Sequence, residues 1–191
     1  MRRMLSCIVV LLAVVPGACS SGGGGGGGGG GNDVNLRVNL TDAPMMGMKA
    51  VNVTITNVRI HQSADAAPGA AGWRDLPVTA AMPVDMMQIR GGVLYELCSA
   101  NLEAGHYQQV RLVVRQNAGA APPYHNSVMT MDGAKHPLAM PGEMKVVHSF
   151  VVAPGTTTDL TCDLHVDQSM HQRGNGDYYM TPVLTANSTT K

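Results

Sequence analysis

The sequence predicts an all-β fold, an antiparallel β-sandwich of the immunoglobulin-like or transthyretin-like kind, forming one domain after a disordered Gly-rich tether. Three observations carry this. Apolar and polar residues alternate with period two from Val34 onward, the pattern of strands with one buried face. Turns containing Gly or Pro, rather than amphipathic helices, separate the apolar runs. No stretch sustains helical periodicity over three turns, and only the segment from Met82 to Ile89 admits a short helical turn.

The expected organisation is a lipoprotein-type signal peptide at 1–18, a lipidated cysteine and poly-Gly linker at 19–32, the sandwich at 33–187 and a disordered tail at 188–191. Arg2 and Arg3 supply a positive start, and Leu5 to Val15 is apolar but too short to cross a hydrocarbon layer of about 30 Å. Pro16-Gly17-Ala18-Cys19 resembles the lipobox of bacterial lipoproteins, with Pro16 standing where such boxes usually carry Leu. The competing reading is an ordinary secretory signal with an incidental cysteine. Ser20, Ser21 and ten glycines then form a leash spanning on the order of 20 Å. Ser20 rather than Asp after the cysteine implies, by the same resemblance, delivery to the outer membrane.

Removing the leader leaves about 160 residues, one core's worth, which excludes two large domains. With Arg2 and Arg3 gone, 11 basic residues face 13 acidic ones, a balance of −2, so no basic field exists to attract nucleic acid. Seven aromatic residues are too few to fill the interior, which falls to Val, Leu, Ile and Met.

Taken in order, Val34, Leu36, Val38 and Leu40 form the first strand, ending at the turn Thr41-Asp42-Ala43-Pro44. Val51, Val53 and Ile55 begin a second run whose parity slips near Asn57 before Val58 and Ile60, which predicts a bulge or bend. Further strands are expected at 72–76, 93–98, 106–115, 126–131, 144–152, 157–167 and 177–186, with mobile loops at 64–72 and 117–124. The spacing of Leu102, Gly105 and Tyr107 predicts a corner: Leu packs beneath, Gly takes positive φ, and the Tyr hydroxyl returns to the backbone.

With those elements in place, the chain resembles a bacterial lipoprotein family catalogued as domain of unknown function 4382. The matching residues are Val38 to Pro44, Ala50 to Ile55, Gly72-Trp73, Val84 to Ile89, the 102–107 corner, Phe150 to Asp167 and Pro182 to Leu184. The resemblance covers most of 34–186 and implies a lipid-anchored β-sandwich at the cell envelope, without a substrate or catalytic residue. Met86 and Met87 stand where the family commonly shows leucines.

Export brings an oxidising compartment, so Cys98 and Cys162 are either a disulfide or two buried thiols. The nearest thing to a site is the stripe Asp159, Thr161, Asp163, His165 and Asp167, followed by Met170 and His171. Its carboxylates suit Ca²⁺, and His165 suits Zn²⁺ or Cu²⁺. Ligands about 6.7 Å apart on one strand need a neighbouring element to complete a site, and the bland reading is a solvated strand face. Thioethers select Cu(I), making Met45-Met46-x-Met48, Met129-x-Met131 and Met170-His171 candidate clusters, against the reading that Met replaces Leu in the core. Trp73 reads first as core packing.

No nucleophile elbow, His-Glu-x-x-His or phosphate loop is present. The expectation is therefore a non-catalytic binding or structural module at the cell envelope. It would use a membrane anchor, no cofactor and no nucleic acid, and loops 42–49, 62–72 and 117–126 would contact an envelope protein or glycan. The alternative is an envelope metal-handling protein using Met, His and Asp clusters.

Overall fold

The computed structural model describes residues 34–42, 47–119 and 121–191. The signal peptide, Cys19, the glycine linker, Met45 and Met46 lie outside the described residues. Strands dominate: β1 (Leu36–Asp42), β2 (Met48–Val53), β3 (Ile55–His61), β4 (Arg74–Pro77), β5 (Val84–Asp85), β6 (Tyr95–Ala100) and β7 (Gly105–Val114). After them come β8 (Ser127–Thr130), β9 (Lys135–Ala139), β10 (Glu143–Val152), β11 (Thr158–Leu164), β12 (Met170–Gln172), β13 (Tyr178–Met180) and β14 (Leu184–Thr190). A 3₁₀ turn at Met86–Gln88 falls inside the one segment where a helical turn was expected, capped by Asp85, whose carboxylate accepts from the Met87 N–H. Among the described residues the one α-helical turn is α1 (Val166–Ser169).

The strands form three sheets, ordered β14-β11-β1-β6, β10-β7-β3-β4 and β12-β13-β9-β8-β2-β5. The all-β expectation holds and pairing is mostly antiparallel, with parallel pairs at β1 with β11 and β13 with β9. The first two sheets face each other, and their edges meet: β10 packs against β14, where His148 Nε2 lies 3.0 Å from Ser188 Oγ, and β4 packs against β6. One continuous core joins all three sheets, with Leu36, Val38 and Leu40 of β1, Leu160 and Leu164 of β11, and Val58, Ile60, Val110 and Leu112 of the second sheet fully or nearly fully buried. The period-two pattern read from the sequence is this burial, and truncating such a residue to Ala would cost about 2–5 kcal/mol. Met86, Met87, Met144 and Met180 are buried among them, so these thioethers fill core space.

The parity slip near Asn57 has a physical cause. The chain leaves the third sheet at Val53 and joins the second at Ile55, and the β3–β7 register shifts between Ile55 and Asn57. Thr54, at the crossing, is buried: its N–H donates to Asn126 Oδ1 at 2.9 Å and its hydroxyl donates to His125 O at 2.6 Å.

Several expectations are corrected. The run 157–167 is strand only to Leu164, because the chain turns into α1. The run 177–186 divides at Thr181-Pro182-Val183 into β13 and β14, which belong to different sheets. Residues 188–190, expected as a disordered tail, finish β14, and the backbone of Lys191 pairs with Thr157 in both directions. Three strands went unread, β5, β9 and β12. The 64–72 loop, expected to be mobile, is fastened to the second sheet. The base of the 117–124 loop is held too, by Asn117, whose carboxamide accepts from His125 and Asn126 N–H and donates to Asn126 O and Leu138 O.

Candidate functional site

The expected metal stripe does not converge. On the outer face of the first sheet, Asp159, Thr161 and Asp163 of β11 stand in register between Arg37, Asn39 and Thr41 of β1 and Thr189, Asn187 and Thr185 of β14. Asp159 Oδ2 accepts from Lys191 Nζ at 2.6 Å, and His165 Nε2 pairs with Thr185 Oγ1 at 3.1 Å. The chain then bends: Val166 N–H donates to Asp42 Oδ1 and Ser169 Oγ donates back to His165 O. This bend leaves Asp167 exposed on α1 and sends Met170 and His171 into the third sheet, opposite Met180 and Tyr179. Asp163, His165, Asp167, Met170 and His171 are thus spread over two sheets and a turn. Among the described residues no three His, Cys, Asp or Glu side chains are placed to hold a metal. Met129 is half-buried at the end of β8, and Met131 projects into solvent.

Cys98 and Cys162 are free and buried, which corrects the disulfide expectation. Register explains why. β6 and β11 flank β1 on opposite sides, with Cys98 opposite Val38 and Cys162 opposite Leu40. Two strand spacings, about 9–10 Å, separate them, while a disulfide spans at most about 7 Å between Cα atoms. Burial pushes both thiols up to about 12, with smaller contributions from Glu96 at Cys98 and from Cys98 at Cys162.

The 102–107 corner forms as expected in its main features. Tyr107 is buried against Phe150, and its hydroxyl donates to Glu103 O at 2.9 Å. Asn35 carries the other side: its amide donates to Leu102 O and its carbonyl accepts from Leu102 N–H, both at 2.8 Å. Gly105, however, is not at positive φ. A Cβ there would stand 3.0 Å from the movable amide of Gln62 and at ordinary contact, 3.8 Å, from the Tyr107 ring, so the corner does not require glycine through φ or through its backbone neighbours.

The site with the most convergent chemistry lies on the outer face of the second sheet, where Arg59 of β3 stands opposite Arg111 of β7. Glu143 of β10 accepts from both guanidinium groups, Arg111 Nη1 at 2.7 Å and Arg59 Nη1 at 3.0 Å. Arg59 Nε also donates to Asp75 Oδ1 at 2.9 Å. The remaining donors reach the 62–73 loop: Arg59 to Pro68 O, Arg111 to Ala66 O, and Gln109, itself bonded to Arg111 Nε, to Ser63 O and Ala64 O. Trp73 closes the loop. Its Nε1–H donates to Ala67 O at 2.9 Å, its ring lies 4.8 Å from the Arg59 guanidinium carbon and 5.2 Å from that of Arg111, and His61 packs against it. Trp73 is therefore half-buried over a charged cluster, not a core residue. Burial pushes the Glu143 carboxyl up, but hydrogen bonds from Arg111 and Arg59, with their charges, outweigh it and hold it below the ordinary value. Burial likewise pulls the Arg59 guanidinium down, and its bonds to Glu143 and Asp75 raise it above the ordinary value.

Sequence reasoning passed over Arg59, Arg111 and Glu143, which occupy the polar positions of alternating strands. The only cue was a lone Trp beside a Gly/Ala/Pro loop. A cleft of about 690 Å³ lies at the same end of the sandwich as the corner, between the start of β1, residues 101–104 and the turn at 154–157. The Arg74–Glu103 ion pair, at 2.5 Å, ties the corner to β4 beside Trp73.

Comparison with curated proteins and with solved structures finds no match. The family model described as a domain of unknown function (DUF4382) matches residues 33–182, the span that holds the clamped loop, the corner and most of the core. Because the match covers well over half of the chain, this protein belongs to the DUF4382 family.

Proposed function

We propose that this chain is a lipid-anchored protein of the cell envelope, exported by its leader, held through Cys19 and acting without catalysis as a binding module. Its recognition surface is the loop 62–73, offered to an envelope protein or glycan; nucleic acid is no partner. The observation that carries the reading is the clamp. Two arginines, a shared glutamate, a glutamine and a tryptophan are committed to fixing a loop of small residues that adds little to the core. A loop fixed before its partner arrives loses less conformational entropy on binding, which is how rigid scaffolds present recognition loops. The N-terminal reading rests on the lipobox-like Gly17-Ala18-Cys19 and the glycine leash.

The test has two arms on the full-length chain expressed in a two-membrane bacterium. Alkyne-palmitate labelling should mark the wild-type protein in the membrane fraction and be lost in Cys19→Ser, which should become soluble. A photo-crosslinking residue at Asp65 should give defined adducts in intact cells, whereas one at Thr185 should not. Label-free protein or adducts indifferent to position would remove the reading.

A further inference from the structure

We propose that the cleft between the start of β1, the 101–104 corner and the 154–157 turn binds a small monoanionic polyhydroxylated molecule, a sugar acid. This goes beyond the loop-mediated recognition above and stands on separate residues. The size fits: about 690 Å³ lies within the roughly 300–1,000 Å³ of small-ligand sites. The charge is specific, because among the described residues Arg37 is the one ionisable side chain in the lining. Its side chain is 49% exposed, and its Nη1 stands 3.8 Å from Asp159 Oδ1, an ion-pair separation too long for a hydrogen bond. Asp159 is shared, its Oδ2 held by Lys191 at 2.6 Å, so Arg37 lines the cleft carrying hydrogen-bond donors that no carboxylate among the described residues takes up. One guanidinium matches one carboxylate in bidentate geometry, whereas a dianionic phosphate usually gathers more than one cation.

The remaining polar groups suit hydroxyls rather than a second charge. Thr157 Oγ1 donates to Val34 O at 2.8 Å and Thr156 Oγ1 to Ala153 O at 3.2 Å, so each keeps lone pairs for a ligand hydroxyl. Asn101 is exposed and offers both a donor and an acceptor. Leu102 and Pro154 supply small apolar walls for C–H faces. The walls are fixed: Asn35 holds Leu102 through two bonds at 2.8 Å, and Thr157 is paired with Lys191 through the backbone. The lining is too polar for a fatty acid and carries too little charge for an oligoanion.

The test is calorimetric titration of the purified full chain with D-glucuronate, D-glucose, acetate and N-acetylglycine at low salt. Glucuronate should bind saturably, with glucose, acetate and N-acetylglycine each at least tenfold weaker. Arg37→Gln should lose at least tenfold in glucuronate affinity at an unchanged melting temperature, Arg37→Lys should fall between, and Asn101→Ala should weaken binding a few-fold. Equal binding of glucose would remove the role of Arg37, and equal binding of acetate or N-acetylglycine would remove the sugar. Absence of saturable glucuronate binding, or a wild-type response from Arg37→Gln, would overturn the site, and none of these outcomes alters the labelling or crosslinking result above.

Discussion

The outer faces of the two main sheets make an instructive pair. On the first, Asp159, Asp163 and His165 are close in sequence and look like a site, yet they do not share a partner: Asp159 takes Lys191, His165 takes Thr185, and Asp163 Oδ1 is buried without a hydrogen bond. On the second, Arg59, Arg111 and Glu143 are far apart in sequence, Arg59 standing 84 residues from Glu143, yet one carboxylate joins both guanidinium groups. Residues two apart on a strand are held about 6.7 Å from each other by the backbone itself, so proximity in sequence prevents convergence there. Convergence comes across strands, where register brings side chains within about 5 Å and a loop folding back can add its carbonyls.

The contrast predicts unequal costs. Glu143→Gln leaves two largely buried guanidinium groups without their shared charge, and since Arg111 is only 10% exposed and Arg59 18%, the loss should be about 2–4 kcal/mol, just under that for a fully buried pair. Chemical denaturation measures it, and hydrogen exchange in the 62–73 loop should accelerate while the β1 amides stay protected. The wild-type protein should also lose stability on acidification. A carboxyl held below its unfolded value of 4.5 stabilises the fold above that pH, and the contribution disappears as pH falls below 4.5 and through the folded value. Glu143→Gln should lack this component of the acid limb. A melting temperature unmoved by the substitution would place the clamp on a par with the solvated stripe.

The cysteines extend the comparison to the core side of the first sheet. A reductant should leave the melting temperature unchanged, and the thiols should react with a thiol reagent only on unfolding. Both thiols are pushed up to about 12 by burial, so their contribution is intact below the unfolded value of 9.0 and is lost as pH rises from there toward 12. Between those limits each thiol should cost about 1.4 kcal/mol per pH unit, and Cys162→Val should flatten the alkaline limb accordingly. A melting temperature lowered by reductant would contradict the register separating β6 from β11.

At the corner the expected effect is smaller. Tyr107→Phe keeps the ring against Phe150 and deletes the hydroxyl bonded to Glu103 O, for a loss of about 1 kcal/mol. Gly105→Ala should be close to neutral, because the new methyl meets only the far end of exposed Gln62, which can move aside, at an ordinary φ. Wild-type stability in Tyr107→Phe would show that the hydroxyl adds nothing to the corner beyond the packing of its ring and of Leu102.

How much of this was legible follows from the same geometry. The longer strands were readable because each has one face in the core, so Leu36, Val38 and Leu40 or Leu160, Cys162 and Leu164 mark their own periodicity. β5 and β12 have two and three residues, too few to display a period, and β9 carries Pro137, which interrupts the pattern. The helical turn after Leu164 was hidden because Val166 continues the alternation of the strand while its N–H is captured by Asp42, more than a hundred residues away. The clamp was hidden for a different reason. Arg59, Arg111 and Glu143 occupy positions where a solvated charge looks the same in sequence as a paired one, and only the register of β10, β7 and β3 tells them apart. Trp73 misled because a lone tryptophan suggests the interior, whereas its indole nitrogen and cation-facing ring are satisfied at a surface.

The smallest effects are expected on the first sheet's outer face, and they decide whether its stripe is merely solvated. Asp159→Asn should cost less than about 1 kcal/mol, since its partner Lys191 is 71% exposed and such pairs are screened by water and salt. Asp163→Asn should be neutral or slightly stabilising, because Asp163 Oδ1 is buried without a hydrogen bond and the substitution removes a charge from that position. Adding millimolar Ca²⁺ or Zn²⁺ should then move the wild-type melting temperature no more than that of Asp163→Asn, since only an ion bound preferentially by the folded state raises it. A rise in the wild type that disappears in the variant would show the stripe completing a site with an element of the chain outside the described residues, and would reverse the ranking of the two faces.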